Sequence, residues 1–249
     1  MKYDKKSILE HWDDENVESM QDKYVVESEI ALIAQHIGPN AKILDAGCGE
    51  GEGTSVYAKK EGAVVHAVDF SETRLKKAKE RLKDYENIQY QQVDFLEDYK
   101  LDNDYDLIIS QRMLINLGEW ELQSKVLKDF INMLKTGGKL LTLEGNQEGV
   151  DELNQFREAY GLKPIPVRWH NRFLKNEEYI SFMKENGMKL VDEGGLGAYF
   201  FLTRGVRGIY EENPTWQSDF NKIANQKEMA DLLGFGHKFS RVKLWVFQK

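Results

Sequence analysis

The segment Lys42-Ile-Leu-Asp-Ala-Gly-Cys-Gly-Glu-Gly-Glu-Gly-Thr54 carries the densest chemical signal in the chain. A short apolar run ends in an acid, and a glycine-rich turn opens the helix that follows. Glycine lets backbone approach a ligand closely, and a helix start aims N–H groups at it. Two further acids close apolar runs: Asp69 ends Val64-Val-His-Ala-Val-Asp, and Asp94 precedes Phe95 after Ile88–Val93. A carboxylate about 20 residues beyond such a turn can accept hydrogen bonds from a ribose diol. The glycines stand at 47, 49, 51 and 53, so the third position of the G-x-G-x-x-G fingerprint is Glu52. A pyrophosphate would be repelled by Glu50 and Glu52, whereas a phosphate-free ligand with a cationic centre would not.

The elements that must hold these acids alternate. Asp22 to Ile37 reads as an amphipathic helix with Val26, Ile30, Ile33 and Ile37 on one stripe and Gly38-Pro39 as its stop. A strand at 42–45 precedes a helix from Thr54 to Lys60, and Ser71 caps a helix that turns Leu75, Ala78 and Leu82 inward. Tyr105–Ser110 is nearly all apolar, as a buried parallel strand should be. A helix from Glu119 to Leu134, the Gly137-Gly138 turn and a strand at Lys139–Leu143 follow, then a helix over Val150–Tyr160 and one capped by Asn176. Lys189–Asp192 and Val242–Phe247 read as strands six and seven. Strands separated by helices predict an α/β fold, a doubly wound, seven-stranded, mostly parallel Rossmann-like sheet with right-handed crossovers. Residues 196–240 are too long for a hairpin. The expected organisation is a single domain: 1–38 a helical cover, 39–145 a ligand-binding core, and 146–249 additions that wall a second pocket.

Asp45-Ala-Gly-Cys-Gly-Glu-Gly resembles the first motif of class I S-adenosylmethionine-dependent methyltransferases. Asp69 and Asp94-Phe95 resemble that family's ribose-binding and adenine-binding acids, and Tyr105–Ser110 and Leu134–Leu143 its fourth and fifth strands. The similarity runs over residues 40 to 144. It implies S-adenosylmethionine as cofactor and no metal. It also implies cofactor contacts from Asp45, Gly47, Cys48, Gly49, Asp69, Phe70, Arg74, Asp94, Phe95 and Gln111, with Trp12 from the N-terminal cover. Read without the family, the glycines could serve only a tight strand–helix turn, Cys48 and His66 could be buried packing residues, and Trp12 and Tyr24 could pack the N-terminal helices.

In such enzymes the loop after the fourth strand often carries catalytic or substrate residues, which here points to Arg112 and Asn116. Arg168-Trp-His-Asn-Arg172 is the densest polar-aromatic run in the chain. Trp169, Asn171, Arg168 and Arg172 are candidate acceptor ligands, and His170 a candidate base or orienter, since free imidazole titrates near neutrality. Tyr199, Arg204 and Arg207 repeat the arginine–tyrosine chemistry, although they could form an ordinary helix surface. Pro166–Asn171 and Phe201–Arg204 resemble methyltransferases of bacterial surface-polysaccharide gene clusters. That implies O-methylation of a sugar, a phosphorylated or nucleotide-linked sugar, or a phosphoramidate-type group. The arginines point the same way, to an anionic small molecule. Ser110-Gln-Arg112 stands where an Asn-Pro-Pro-Tyr motif would begin, which argues against DNA-base or protein-glutamine methylation.

Composition limits the alternatives. The 249 residues, 41% hydrophobic, suffice for one full core. The net charge of −8 argues against nucleic acid as the main partner. No apolar run is long enough to span a bilayer, no leader is read at Met1-Lys-Tyr-Asp-Lys-Lys, and the lone Cys48 fits a reducing, cytoplasmic setting. The five histidines, at 11, 36, 66, 170 and 237, show no metal spacing. Three rivals stay open: N-methylation of a small metabolite, a nicotinamide-dependent oxidoreductase, and a non-catalytic subunit of the same fold.

Overall fold

The computed structural model describes residues 4–18, 20–211 and 214–249. The Met1-Lys-Tyr start, read above as carrying no leader, lies outside them. Two helices, α1 (Lys5–Asp13) and α2 (Lys23–Ala34), precede β1 (Lys42–Ala46). Then come α3 (Glu52–Tyr57), β2 (Val64–Asp69), α4 (Glu72–Arg81), β3 (Ile88–Gln92) and β4 (Tyr105–Gln111). A 3-10 turn at Leu114–Leu117 leads to α5 (Trp120–Met133), β5 (Leu134–Gly145), α6 (Gln147–Ala159), α7 (Asn176–Glu185) and β6 (Lys189–Gly195). The excursion before β7 (Val242–Gln248) is helical: α8 (Gly197–Phe200), a π turn at Phe201–Val206, α9 (Arg207–Tyr210), α10 (Asp219–Ala224) and α11 (Lys227–Leu233).

The seven strands form one sheet in the order β3-β2-β1-β4-β5-β7-β6. β7 runs antiparallel to both β5 and β6, and the other pairings are parallel. Alternate residues feed the two faces: Ile43, Val65 and Ala67 pack under α2 and α3, while Leu44, Ala46 and Val68 pack with α5 and α7. The winding reverses between β1 and β4, so the chain leaves both strands in opposite directions and a crevice opens at their carboxyl ends. Every chemically marked segment of the core, at 45–53, 69–70, 94–95 and 111–117, lies there.

Several boundaries differ from the sequence reading, each for a local reason. The helix expected from Thr54 begins at Glu52, because Gly51 takes the left-handed conformation (φ +78°) at its N-cap. Ser71 caps α4 as expected, its hydroxyl accepting from Arg74 N–H at 3.1 Å. Asn176, expected as a cap, is the first residue of α7. Its side chain is spent on Glu148 (3.0 Å), Lys243 Nζ (3.0 Å) and Trp245 Nε1 (3.2 Å). β5 begins before the Gly137-Gly138 turn, because Leu134 already pairs with Tyr105.

Candidate functional site

The glycine turn is held rigidly over the end of β2. Gly47 and Cys48 both donate N–H to Val68 O, at 2.8 and 2.9 Å, and Gly49 N–H donates to Asp69 Oδ2 at 2.8 Å. Asp69 Oδ1 accepts from Ser71 N–H at 2.9 Å. A side chain at position 47 is excluded, since a Cβ there would lie 2.6 Å from Met113 and the residue's φ is +78°. Asp45 accepts from Thr54 Oγ1 at 2.6 Å, and burial pushes its carboxyl up to about 7. Burial likewise raises the Cys48 thiol, which marks it as inert. The acids flanking the turn carry a correction. Glu50 pairs with Arg74 (2.8 Å) and Lys77 (3.2 Å), and Glu52 with Arg81 (3.7 Å), so α4 cancels much of the repulsion that seemed to bar a pyrophosphate.

These residues line a cavity of about 510 Å³, within the usual size of a small-molecule site. Asp45, Gly47, Cys48, Gly49, Asp69, Phe70, Arg74, Asp94, Phe95 and Gln111 are on its wall. α1 crosses one side. Its Lys5 pairs with Asp94 at 2.5 Å, and Trp12 stacks on the Arg74 guanidinium (5.3 Å) while its carbonyl accepts from Arg74 Nε (3.0 Å). The cavity is thus built from acids at strand ends, two phenylalanines, and a cover fastened over them. A diol can donate to Asp69, a base can pack at Phe70, Asp94 and Phe95, and a cationic centre finds Asp45 nearby. These residues fit S-adenosylmethionine.

Beyond β4 the wall changes character. Arg112 takes a left-handed backbone (φ 55°), and its Nε lies 3.1 Å from Glu29, a fully buried carboxylate on α2 whose pKa burial raises. The turn after it hangs on one residue that sequence reasoning missed. Glu144, at the end of β5, accepts N–H bonds from Met113 (3.2 Å), Leu114 (3.1 Å) and Ile115 (3.3 Å), and the Ser110 hydroxyl at 2.6 Å. Burial pushes its carboxyl up to about 7, the hydrogen bonds opposing. Asn116, Arg168, His170, Asn171, Arg204 and the unforeseen Arg241 complete this end.

Other expectations are corrected. Tyr199 and Arg207 are not on the cavity wall. Tyr199 is buried with its hydroxyl on Asp22 (2.8 Å) and accepting from Asn221 (2.8 Å), and Arg207 is spent on Glu211 (2.7 Å) and Asn221 (2.6 Å). Arg172 binds Glu178 (2.6 Å) and Gln123 (2.8 Å), and half-exposed Trp169 lies with it on a neighbouring cavity of about 670 Å³. His170 does reach the wall, but its imidazole does not titrate near neutrality. Burial first, then the charges of His11 and Arg168, push it down to about 4. His11 from α1 stacks against it at 4.7 Å. The ring is neutral at pH 7 and too weakly basic for efficient proton abstraction.

Among the described residues no group of three or more His, Cys, Asp or Glu side chains is placed to hold a metal ion, and no helix is long and apolar enough to cross a membrane. Residues 37–195 match the family described as Methyltransferase domain. The chain belongs to that family. It is an S-adenosylmethionine-dependent methyltransferase. A demethylmenaquinone methyltransferase of Staphylococcus carnosus is 28% identical over 171 residues, covering 68% of this chain and 69% of the relative. The methyltransferase also shares its fold with two solved structures. The cyclase SpnF gives a TM-score of 0.61 at 15% identity over 94% of this chain and 84% of that one. The N-methyltransferase NodS of Bradyrhizobium japonicum, solved with S-adenosyl-L-homocysteine, gives 0.59 at 14% identity over 98% and 97%.

Proposed function

We propose that this methyltransferase O-methylates a small acceptor that carries an anionic group, of the sugar-phosphate or nucleotide-linked sugar type used in surface-polysaccharide assembly in the cytoplasm. The observation that carries the reading is the acceptor end of the cavity, where Arg168 and Arg241 stand on the wall beside Arg112 and Arg204, which are paired with Glu29 and Asp22. Arginine forks match oxyanions in both charge and shape. The sugar part rests on the sequence resemblance of the loop at 166–171 and the helical turn at 201–204 to polysaccharide-cluster enzymes.

S-adenosylmethionine, when bound, supplies a methyl group on a sulfonium that is already a strong electrophile. The chain's own residues then have three tasks. Asp69, Phe70, Asp94 and Phe95 hold the nucleoside; Asn116, His170 and Asn171 orient the acceptor oxygen; α1 and its Trp12 cover the nucleoside side of the cavity, leaving the acceptor end open to water. Orientation of this kind can account for a large share of the barrier. The acceptor's hydroxyl proton leaves to water or to a basic group of the acceptor itself, since His170 is a weak base.

A second reading has specific support. The relative from S. carnosus is named for demethylmenaquinone, and Ile8, Met20, Val26, Ile30 and Phe200 give the cavity an apolar flank. Methylation of a ring carbon on such a quinol would use that flank. One assay separates the two. Radiolabelled cofactor is offered with a panel of phosphorylated and nucleotide-linked sugars, and separately with a demethylmenaquinol. Label in an O-methyl sugar is expected. Label on the quinol carbon and none on the panel would overturn the anionic-sugar reading.

A further inference from the structure

Most arginines around the cavity are matched by an acid, and two at its acceptor end are not. Arg74 is matched by Glu50, Arg112 by Glu29, and Arg204 by Asp22 at 2.6 Å. Arg241 has no acid partner among the described residues, and its Nε is buried without a hydrogen-bond partner. Arg168, on the exposed loop before His170, also has no carboxylate within ion-pair distance among the described residues. Arg204 and Arg168 both bear on Arg241, whose pKa is lowered to about 10, by burial first and then by their charges. A guanidinium still holds its proton there at neutral pH, so Arg241 carries its charge half-buried, with its Nε shielded from water.

The position is built rather than incidental. Arg241 immediately precedes β7, and its carbonyl accepts from Asn146 N–H at 2.9 Å, which fixes it beside the end of β5. Its guanidinium lies over the Phe173 ring at 5.9 Å. Phe173 can reach that place because residue 145 is glycine, where a Cβ would fall 2.3 Å from the ring. Leu174 N–H on Gly145 O (2.9 Å) then ties the Arg168 loop to the same strand end. Strand end, ring and loop together aim the surplus cations at one wall of the cavity.

We propose that Arg241, with Arg168, forms a subsite for an oxyanion of the acceptor, a phosphate or carboxylate group, at the β5–β7 edge of the cavity. The inference rests on the acceptor reading above and adds to it the place and role of the charge. An oxygen whose lone pairs are taken by guanidinium donors is a poor nucleophile. The anion is therefore a handle, and the methyl goes to a neutral hydroxyl elsewhere on the same molecule.

The test uses the full chain saturated with S-adenosylhomocysteine and two probes, inorganic phosphate and succinate, titrated by calorimetry. The wild type should bind at least one; preference for phosphate assigns a phosphorylated acceptor, and preference for succinate a carboxylate. Arg241→Met should weaken that binding by about tenfold or more, Arg241→Lys less, and Arg168→Gln severalfold, all with unchanged affinity for S-adenosylhomocysteine. If Arg241→Met does not fold, the double variant Arg241→Lys with Arg168→Gln decides in its place. A wild type that binds neither probe, or variants that bind both as the wild type does, overturns the subsite. A wild type that binds no S-adenosylhomocysteine instead counts against the cofactor assignment, and the probe titrations without it still decide the subsite.

Discussion

Asp69 is tied down before any ligand arrives, by N–H bonds from Gly49 and Ser71. That preorganisation makes it the residue on which cofactor affinity depends most directly. Asp69→Ala is expected to weaken S-adenosylhomocysteine binding ten- to hundredfold, roughly 1.5–3 kcal/mol for a lost charge-assisted hydrogen bond. Unchanged calorimetric affinity would sink its assignment to the ribose. His170 predicts a pH effect. Its folded pKa of about 4 lies below the unfolded value of 6.5. Between these values the unfolded chain binds more protons, so the stability present above pH 6.5 is lost as pH falls toward 4. His170→Gln should flatten that loss by up to about 3 kcal/mol. Urea unfolding at pH 7 and pH 4.5 checks it, and equal losses in both proteins would refute the shift. Asp69 was legible in the sequence because a strand-end acid after a glycine turn has a fixed place. The weak basicity of His170 was not, because it comes from burial and from His11, 159 positions away in the chain.

At the scale of elements, the glycine turn and α1 act on the same ligand from opposite sides. Gly47→Ala puts a Cβ against Met113 and strains a positive φ, so it should destabilise the fold by about 1–3 kcal/mol and abolish tight cofactor binding. Thermal melting with and without S-adenosylhomocysteine checks both, and a normal ligand-induced shift in the variant would contradict it. α1 buries only Ile8 but holds Asp94 through Lys5 and Arg74 through Trp12. Removing residues 1–14 should therefore lower cofactor affinity by about tenfold, through a lost cation–π contact and ion pair, with little change in the melting temperature of the unliganded protein. A large fall in that melting temperature would show instead that α1 is part of the core. The sequence placed Trp12 in a cover; that its backbone carbonyl and ring both grip Arg74 depends on how α1 docks on α4.

At the scale of the whole molecule, the two ends of the chain meet in a buried polar network. Asp22, at the start of α2, accepts from Arg204 (2.6 Å) and Tyr199 (2.8 Å), and Asn221 links Tyr199 to Arg207. The network fastens the acceptor-side helices onto the amino-terminal cover. Asp22→Ala leaves the buried Arg204 uncompensated and should cost about 3–5 kcal/mol in urea unfolding. Adding Arg204→Met should restore part of it, because the unpaired charge is then gone. A double variant no more stable than Asp22→Ala would contradict the account.

The succession of strands and helices, the crevice at the strands' carboxyl ends and the cofactor class were legible in the sequence, while the order of the strands in the sheet and the antiparallel β7 came only with the structure. What was legible rests on short-range patterns: apolar runs ending in acids, glycines where a turn needs positive φ, and helices spaced between. The acceptor end was decided only by tertiary structure. Tyr199, Arg172 and Arg207 have the right chemistry, yet Asp22, Glu178 and Glu211 neutralise or bury them, and two of these partners are on the same or the next helix while Asp22 comes from the far end of the chain. Arg241 gave no signal as a lone arginine before a strand, and Glu144 closes an apolar run as Asp69 does, but nothing in the sequence marks the N–H groups of 113–115 as its partners. Each gained its role when antiparallel β7 and the long β5 brought distant segments to one edge. Whether a charge is free for a ligand depends on which carboxylate lies within a few ångströms of it, and that distance exists only once the chain has folded.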